Sequence, residues 1–445
     1  MQGLRTSKRA QGCGFRPSPS VPRGPGICLA ILFLSALTGL LGPAFGQEDL
    51  WVPEIPMTRG LSPSARALGM GGAYLAVSDD ATALHYNPAG LARIQRPEFL
   101  GSLSDLKRTI DTNFHGEAQE NSLPRTRISA LGFAYPFPTY RGSMVIALGY
   151  MAPWPLDRQY GRRASFDGRT VQEDIFEEGQ IGEWSCGYAV DVAPTLAVGF
   201  RGSWIHGGRD QDWIYRETGY EDVHEVSNLD LDGFTGALGA MARLRDWGRL
   251  GLVVNLPRWI SMEGTILDVA GGGEYFVDEE MTLPYSVGVG LSATVPNLLL
   301  TADARFTDWT QIDYEGPMRY EQEPGEPGTK RLLAYERTWN LHLGGEYLLD
   351  HFGLAGLRLR AGLAWEPVPY RVLLEDVTEE GVPVYRSADY DPNLFSVSAG
   401  LGVLLAESLT VDAAFAAGKF ERSGVDLAEE QTDRRLLITA AFRLD

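Results

Sequence analysis

The most constraining feature of this chain is a strict odd-even rhythm. Tyr285, Val287, Val289 and Leu291 alternate with Ser286, Gly288, Gly290 and Ser292, and Phe395, Val397, Ala399 and Leu401 alternate with Ser396, Ser398, Gly400 and Gly402. Leu357, Leu359, Ala361 and Leu363 likewise oppose Arg358, Arg360 and Gly362. Period two puts each set on its own face of a β-strand, so one face is apolar and the other polar or nearly bare. A sandwich or propeller could bury such a face against a second sheet. The connections favour another solution. From residue 96 onward the pattern gives about fourteen strands, with short turns at 138–141, 193–194, 246, 295–296, 350 and 407. Between these turns fall longer loops of roughly 16 to 28 residues, the two-class alternation of an outer-membrane barrel. In hydrocarbon every backbone donor and acceptor must be paired, so a spanning sheet closes on itself. The expected fold is an all-β membrane barrel over 96–445.

The first 46 residues differ. They carry Arg5, Lys8, Arg9, Arg16 and Arg23 and no acid, then an apolar run from Ile27 to Leu41 that is too short for a spanning helix, then Ala44-Phe45-Gly46. This predicts a cleaved secretory signal over 1–46. Its removal would take the formal net charge from −19 to −24 and leave Cys186 as the remaining cysteine, so neither a disulfide framework nor a cysteine zinc site is available within one molecule. That charge excludes a nucleic-acid surface for the chain as a whole.

Aromatic residues sort toward strand ends. Trp154, Trp204, Trp259, Trp309, Trp339 and Trp365 fall at long-loop ends, and Tyr135, Phe137, Trp247, Tyr347 and Phe442 at short-turn ends, as two interfacial girdles require. Of the loop-side aromatics, Trp154, Trp213, Trp259 and Trp309 are candidates for capturing an apolar ligand. Asp303, Arg305, Asn340, His342, Glu346, Arg358 and Arg360 occupy the non-lipid face of three consecutive strands. They form either a ladder that stiffens the wall or, through Arg305, Arg358 or Arg360, a site that steers a ligand carboxylate.

Residues 47–95 precede the first strand and include Gly69-Met70-Gly71-Gly72, Asp79-Asp80-Ala81 and Asn87-Pro88-Ala89-Gly90-Leu91. This segment resembles the amino-terminal hatch of the FadL family of outer-membrane transporters for long-chain fatty acids and aromatic hydrocarbons. Leu283-Pro284-Tyr285-Ser286, Thr307-Asp308-Trp309 and Gly344-Gly345-Glu346-Tyr347 resemble that family's later strands. The resemblance implies a fourteen-stranded barrel plugged by residues 47–95, passive uptake of a hydrophobic small molecule, and release by hatch movement around Asn87 to Gly90. It also implies exit through a gap in the wall at the third strand, although residues 142–151 show no kink. PorV-like barrels, which serve protein secretion and surface attachment, share the hatch motif and remain an alternative. The structural alternative for residues 47–95 is an ordinary helix and turn flooring the barrel.

Enzymatic chemistry has little support. The histidines form no His-Glu-x-x-His pair, and there is no nucleophile elbow or phosphate loop. Asn228 to Gly233 imitates the start of a calcium loop, but Gly239 stands where the bidentate glutamate belongs. An outer-membrane lipid hydrolase is the remaining catalytic alternative. No cofactor or metal is expected. The expected partners are a hydrophobic ligand, outer-membrane lipid with lipopolysaccharide near the acidic 366–393 loop, and the barrel-assembly machinery, which reads the final strand.

Overall fold

The computed structural model describes residue 57 and residues 60–315, 331–349, 356–377, 383–387, 390–405, 408–424 and 427–444. The expected signal at 1–46 and the start of the expected plug, 47–56, lie outside the described residues. Before the first strand come a helical turn at Ala65–Gly69, a second at Ala83–Tyr86 and a 3-10 turn at Pro88–Arg93.

The strands are β1 (Glu98–Phe114), β2 (Glu117–Phe137), β3 (Met144–Pro155), β4 (Arg158–Phe166), β5 (Arg169–Ala193), β6 (Leu196–Glu217) and β7 (Val223–Arg245). They continue as β8 (Gly248–Asn255), β9 (Arg258–Asp268), β10 (Glu274–Leu283), β11 (Ser286–Val295), β12 (Leu298–Asp308), β13 (Asp313–Glu315) and β14 (Arg331–Tyr335). The last are β15 (Arg337–Leu349), β16 (Leu357–Pro367), β17 (Tyr370–Val377), β18 (Pro383–Ser387), β19 (Tyr390–Leu405), β20 (Leu409–Gly424) and β21 (Leu427–Arg443).

Eighteen of these strands form one sheet, in which β3/β4, β8/β9, β10/β11 and β12/β13 are each a single stave broken in two, so the wall has fourteen staves. β1 pairs antiparallel with both β2 and β21, which closes the sheet. β14, β17 and β18 form a separate three-stranded sheet.

Closure leaves the alternating apolar face outward. Phe99, Leu103, Leu148, Phe200, Leu343 and Ile438 are all exposed there. An apolar belt of that extent, on a sheet with no free edge, is stable against hydrocarbon and not against water. Trp204, Trp259, Trp339 and Trp365 on one rim and Tyr135, Trp247, Tyr347 and Phe442 on the other also face outward. Trp154 and Trp309 depart from the expected girdle and are buried inside.

The expected long loops are, in part, more strand. β1 and β2 remain paired out to Phe114 and Glu117 and turn on His115-Gly116, both at positive φ. β5 and β6 stay paired from Ala193 to Val171. These extensions carry polar residues on both faces, because above the hydrocarbon neither face has to be apolar, and so the odd-even rhythm disappears while the ladder continues.

The stave formed by β3 and β4 bends. Its ladder to β2 runs from Met144 to Met151 and stops, whereas β3 and then β4 stay paired to β5, with a register shift between Met151 and Trp154. Pro153 and Pro155 have no N–H to donate, which accounts for a ladder that fails there. The bend lies just past residues 142–151, where no kink was legible.

Candidate functional site

The inner face of the barrel is fitted to the hatch by missing side chains. A methyl group added to Gly132, Gly199, Gly239, Gly251, Gly344 or Gly362 would lie under 3.0 Å from Ala81, Pro88, Asn87, Leu75, Met70 and Gly71 respectively. The small residues of the rhythm are therefore a socket. On the hatch side, Gly71 and Gly72 adopt φ of +66° and +83°, which lets the chain reverse against this wall. Gly69 approaches Gly400 backbone to backbone, and Gly90 packs on Ser78.

Polar bonds hold what the socket receives. Asn87 Nδ2 donates to the carbonyls of Leu75 (2.9 Å) and Ala240 (3.2 Å), and its Oδ1 accepts from Ala89 N at 3.1 Å, which starts the 3-10 turn with Pro88 at its first position. Asp80 accepts from Thr82 N (2.9 Å) and from Tyr74 OH (2.8 Å). Asp79 pairs with Arg66 at 2.5 Å, and Arg66 reaches Glu346 on β15 at 3.1 Å. Glu98, fully buried, accepts from Ala81 N on one oxygen and from Arg443 Nε on the other, so the seam between first and last strands is tied to the hatch.

All seven residues of the expected polar belt face the lumen. Asp303 and His342 sit directly opposite each other, as do Arg305 and Asn340, and Glu346 and Arg360. Their roles divide. Asp303 Oδ2 accepts from Tyr74 N (2.6 Å) and Leu75 N (2.8 Å), and His342 Nδ1 meets Gly71 O at 2.7 Å. Arg360 is held between Glu346 (2.8 Å) and Asp412 (2.7 Å), and Arg358 comes within 4.0 Å of Glu346. These five anchor the hatch or brace the wall. Arg305 and Asn340 make no such bond and line a chamber above the hatch, which Asp303 and His342 also border.

That chamber, about 160 Å³, is also bordered by His85, Trp154, Trp309 and Arg258. The Arg258 guanidinium stacks over Trp154 at 5.1 Å, and Trp309 Nε1 donates to Thr338 Oγ1 at 3.0 Å. Among the described residues neither Arg258 nor Arg305 has an ion pair, whereas the neighbouring Arg201 is neutralised by Glu183 at 2.6 Å. Burial, and then the positive charges of Arg201, Arg305 and Arg258, push the His85 pKa well below the ordinary histidine value. The ring stays neutral, and its Nδ1 is buried without a partner. Above the chamber the lumen holds an apolar cluster: Ile181, Ile205, Leu231, Ile260 and Leu283 point inward and pack with Trp154, Trp309 and Met57.

Two of the four candidate capture aromatics, Trp154 and Trp309, thus line the chamber. Trp259 is 51% exposed on the outer face, directed away from the lumen, and Trp213 lies on the upper extension of β6 with Nε1 bonded to Glu173. Strand parity explains the error for Trp259, since Ile260 occupies the inward position beside it. Arg258, Arg66, His85 and Asp412 are site residues that the sequence pattern did not single out. The side chains of 371–377 and 383–387 in the acidic 366–393 segment are outside the described set.

Beside Trp154 the wall is incomplete where β2 and β3 part. The Ile128 carbonyl, without a strand partner there, accepts from Gln180 Nε2 at 3.1 Å. Asp157 fills the gap, accepting from Arg127 Nη2 (2.6 Å) and Nε (2.9 Å) and from Gly179 N (3.3 Å). Arg125 and Arg127 also face Glu178 at 3.2 and 3.7 Å.

No protein-family model and no curated protein sequence matches the chain. Solved structures do. The Ralstonia pickettii toluene transporter TbuX superposes with a TM-score of 0.60 at 15% identity, over 88% of this chain and all of that one. A Pseudomonas aeruginosa FadL homologue gives 0.60 at 13% identity over 89% of this chain and all of that one. The P. putida toluene transporter TodX gives 0.58 at 14% identity over 87% and 99%. A closed fourteen-stave wall around a short helical segment, shared at this level over most of both chains, gives this protein the fold of the FadL-type barrels.

Proposed function

We propose that this chain is an outer-membrane channel, not an enzyme, for the passive uptake of hydrophobic small molecules that carry an anionic head group. The carrying observation is the lumen itself. A porin lumen is polar and wet, whereas here an inward apolar cluster ends on Arg258 and Arg305, which form no ion pair among the described residues although Asp303 and Glu366 border the same chamber. An apolar body gains by entering the cluster, and a carboxylate gains at Arg258 and Arg305. Charge-assisted hydrogen bonds contribute about 1.5 to 3 kcal/mol each. The toluene-transporter neighbours support the hydrophobic part of this reading.

Size refines the ligand. A chamber of about 160 Å³ accommodates one aromatic ring or a head group, since a cavity of about 150 Å³ takes up benzene. A long acyl chain would have to displace Met57 and spread through the apolar cluster. We therefore favour a monoaromatic or short-chain carboxylic acid over a long-chain fatty acid.

The ligand leaves sideways in this proposal. Movement around Asn87 to Gly90, the hatch release anticipated from the resemblance, would break three Asn87 hydrogen bonds and lift Pro88 from Gly199. Opening the β2–β3 gap exchanges side-chain contacts for water, chiefly the Arg125 and Arg127 pairs with Asp157 and Glu178 and the Gln180 bond to the Ile128 carbonyl, on the side of the lumen where Trp154 already borders the chamber.

The test is uptake of a labelled aromatic acid and of its methyl ester by cells carrying the protein or its Arg258→Gln/Arg305→Gln form. Loss of preference for the acid, with ester uptake retained, is expected. Unchanged preference contradicts the head-group assignment, and no uptake of either compound by the unaltered protein contradicts the channel reading.

A further inference from the structure

A second basic recess lies on the opposite side of the hatch. It occupies about 540 Å³ between the end of the Pro88–Arg93 turn and the short-turn ends of β2, β5, β6, β7 and β8. Arg93, Arg243 and Arg249 line it against a single acid, Asp191. Arg243 and Arg249 are directly opposite each other on β7 and β8. Like charges at directly opposed positions of an antiparallel ladder destabilise it, and Arg93 adds a third positive charge from the hatch.

Among the described residues these charges are not directly paired, although Asp79 lies within Coulombic reach of Arg249. Arg243 donates to the Pro194 carbonyl at 3.0 Å, and Arg93 Nε is buried with no partner. Among the described residues none of the three arginines forms an ion pair. Asp191 lies within Coulombic reach of Arg93 and Arg243 without pairing to either. In a chain of net charge −19 this is a concentrated positive site. Its remaining wall is mixed, with Ile94, Phe137 and Met241 as apolar faces beside polar Gln95, Ser143 and Thr195. Guanidinium groups present a fork that matches a planar carboxylate, and the Ile94, Phe137 and Met241 faces beside them offer an organic anion apolar contact that a fully hydrated inorganic one cannot use.

We propose that this recess binds a small organic carboxylate on the periplasmic side of the hatch. The bound anion relieves the repulsion between Arg243 and Arg249 that the ladder imposes. The site is separate from the chamber at Arg258 and Arg305, because the seated hatch lies between them, and it does not depend on the uptake reading.

Equilibrium dialysis of radiolabelled benzoate against the detergent-purified full chain tests it, with heat-modifiable migration reporting an intact barrel for each variant. Arg93→Gln/Arg249→Gln is expected to weaken one class of benzoate site by about a hundredfold. Arg258→Gln/Arg305→Gln, and Arg245→Gln at the exposed end of β7, should leave that class in place. Asp191→Asn, which removes the competing negative charge, should tighten it. Unchanged benzoate binding in the Arg93→Gln/Arg249→Gln protein overturns the proposal, as does an Asp191→Asn protein that binds no tighter. Displacement of benzoate by an equal concentration of inorganic phosphate overturns the choice of a carboxylate. Failure of uptake with this binding intact would strike the channel reading alone.

Discussion

Replacing Asp303 by alanine should unseat the middle of the hatch while leaving the barrel closed. The Asp303 side chain is 5% exposed and one of its oxygens accepts two backbone bonds, from Tyr74 N at 2.6 Å and Leu75 N at 2.8 Å. Without it, two buried N–H groups lose an ionised acceptor. At about 1.5 to 3 kcal/mol for each charge-assisted bond the local cost is at least about 3 kcal/mol, or roughly a hundredfold in an opening equilibrium. The ladder of β12 is unaffected, because its pairing with β15 runs through the backbone. Hydrogen exchange of the hatch amides, resolved by mass spectrometry, should accelerate by about that factor. Heat-modifiable migration should stay as in the unaltered protein. Exchange unchanged around Tyr74 and Leu75 would refute the assignment of Asp303 as a hatch anchor, and loss of the folded barrel would show that it supports the wall instead.

The socket makes a second prediction: Gly239→Ala and Gly362→Ala, whose new methyl groups would collide with Asn87 and Gly71, should loosen the hatch in the same exchange assay, whereas Gly202→Ala, with nothing within 4 Å, should not. His85 sets a pH dependence. Its pKa is lowered in the seated hatch, so below the ordinary histidine value of about 6.5 only the released hatch takes up the proton, and seating weakens as pH falls from 7 to 5, by at most about 1.4 kcal/mol per pH unit. His85→Phe should flatten that dependence in a proteolysis profile; a steep profile that survives the change would assign it to another group. Finally, Arg125→Gln/Arg127→Gln removes the cations that hold Asp157 and Glu178 across the β2–β3 gap and should raise the initial rate of ligand uptake, whereas a slower rate in a folded protein would contradict exit at this place.

What the sequence reveals here follows from what the bilayer enforces. Within the hydrocarbon, Val287 or Leu401 must face out and Gly288 or Gly400 must face in, so all fourteen staves show their rhythm. Above the membrane that requirement lapses, and the extensions beyond Lys107 on β1 or Ile205 on β6 read as loop although the ladder continues. The bend after Met151 did carry a signal, in Pro153 and Pro155, which lie just beyond the alternating segment. The polar belt was legible by parity, but parity does not reveal partners: Arg360 looks like Arg305 in sequence, and only the positions of Glu346 and Asp412 separate an occupied guanidinium from one left facing the chamber. The same parity error placed Trp259 with the ligand when its side chain points to lipid. Hatch glycines were recognisable by their clustering, whereas the wall glycines that receive them are dispersed from Gly132 to Gly400 and acquire meaning only when the barrel closes.

The most direct test of the account is the initial uptake of a radiolabelled aromatic carboxylic acid by a strain lacking this protein, compared with the same strain after its restoration. Restoration should increase uptake at low ligand concentration, without an energy source, and the increase should saturate. Equal uptake with and without the folded barrel in the outer membrane would contradict it.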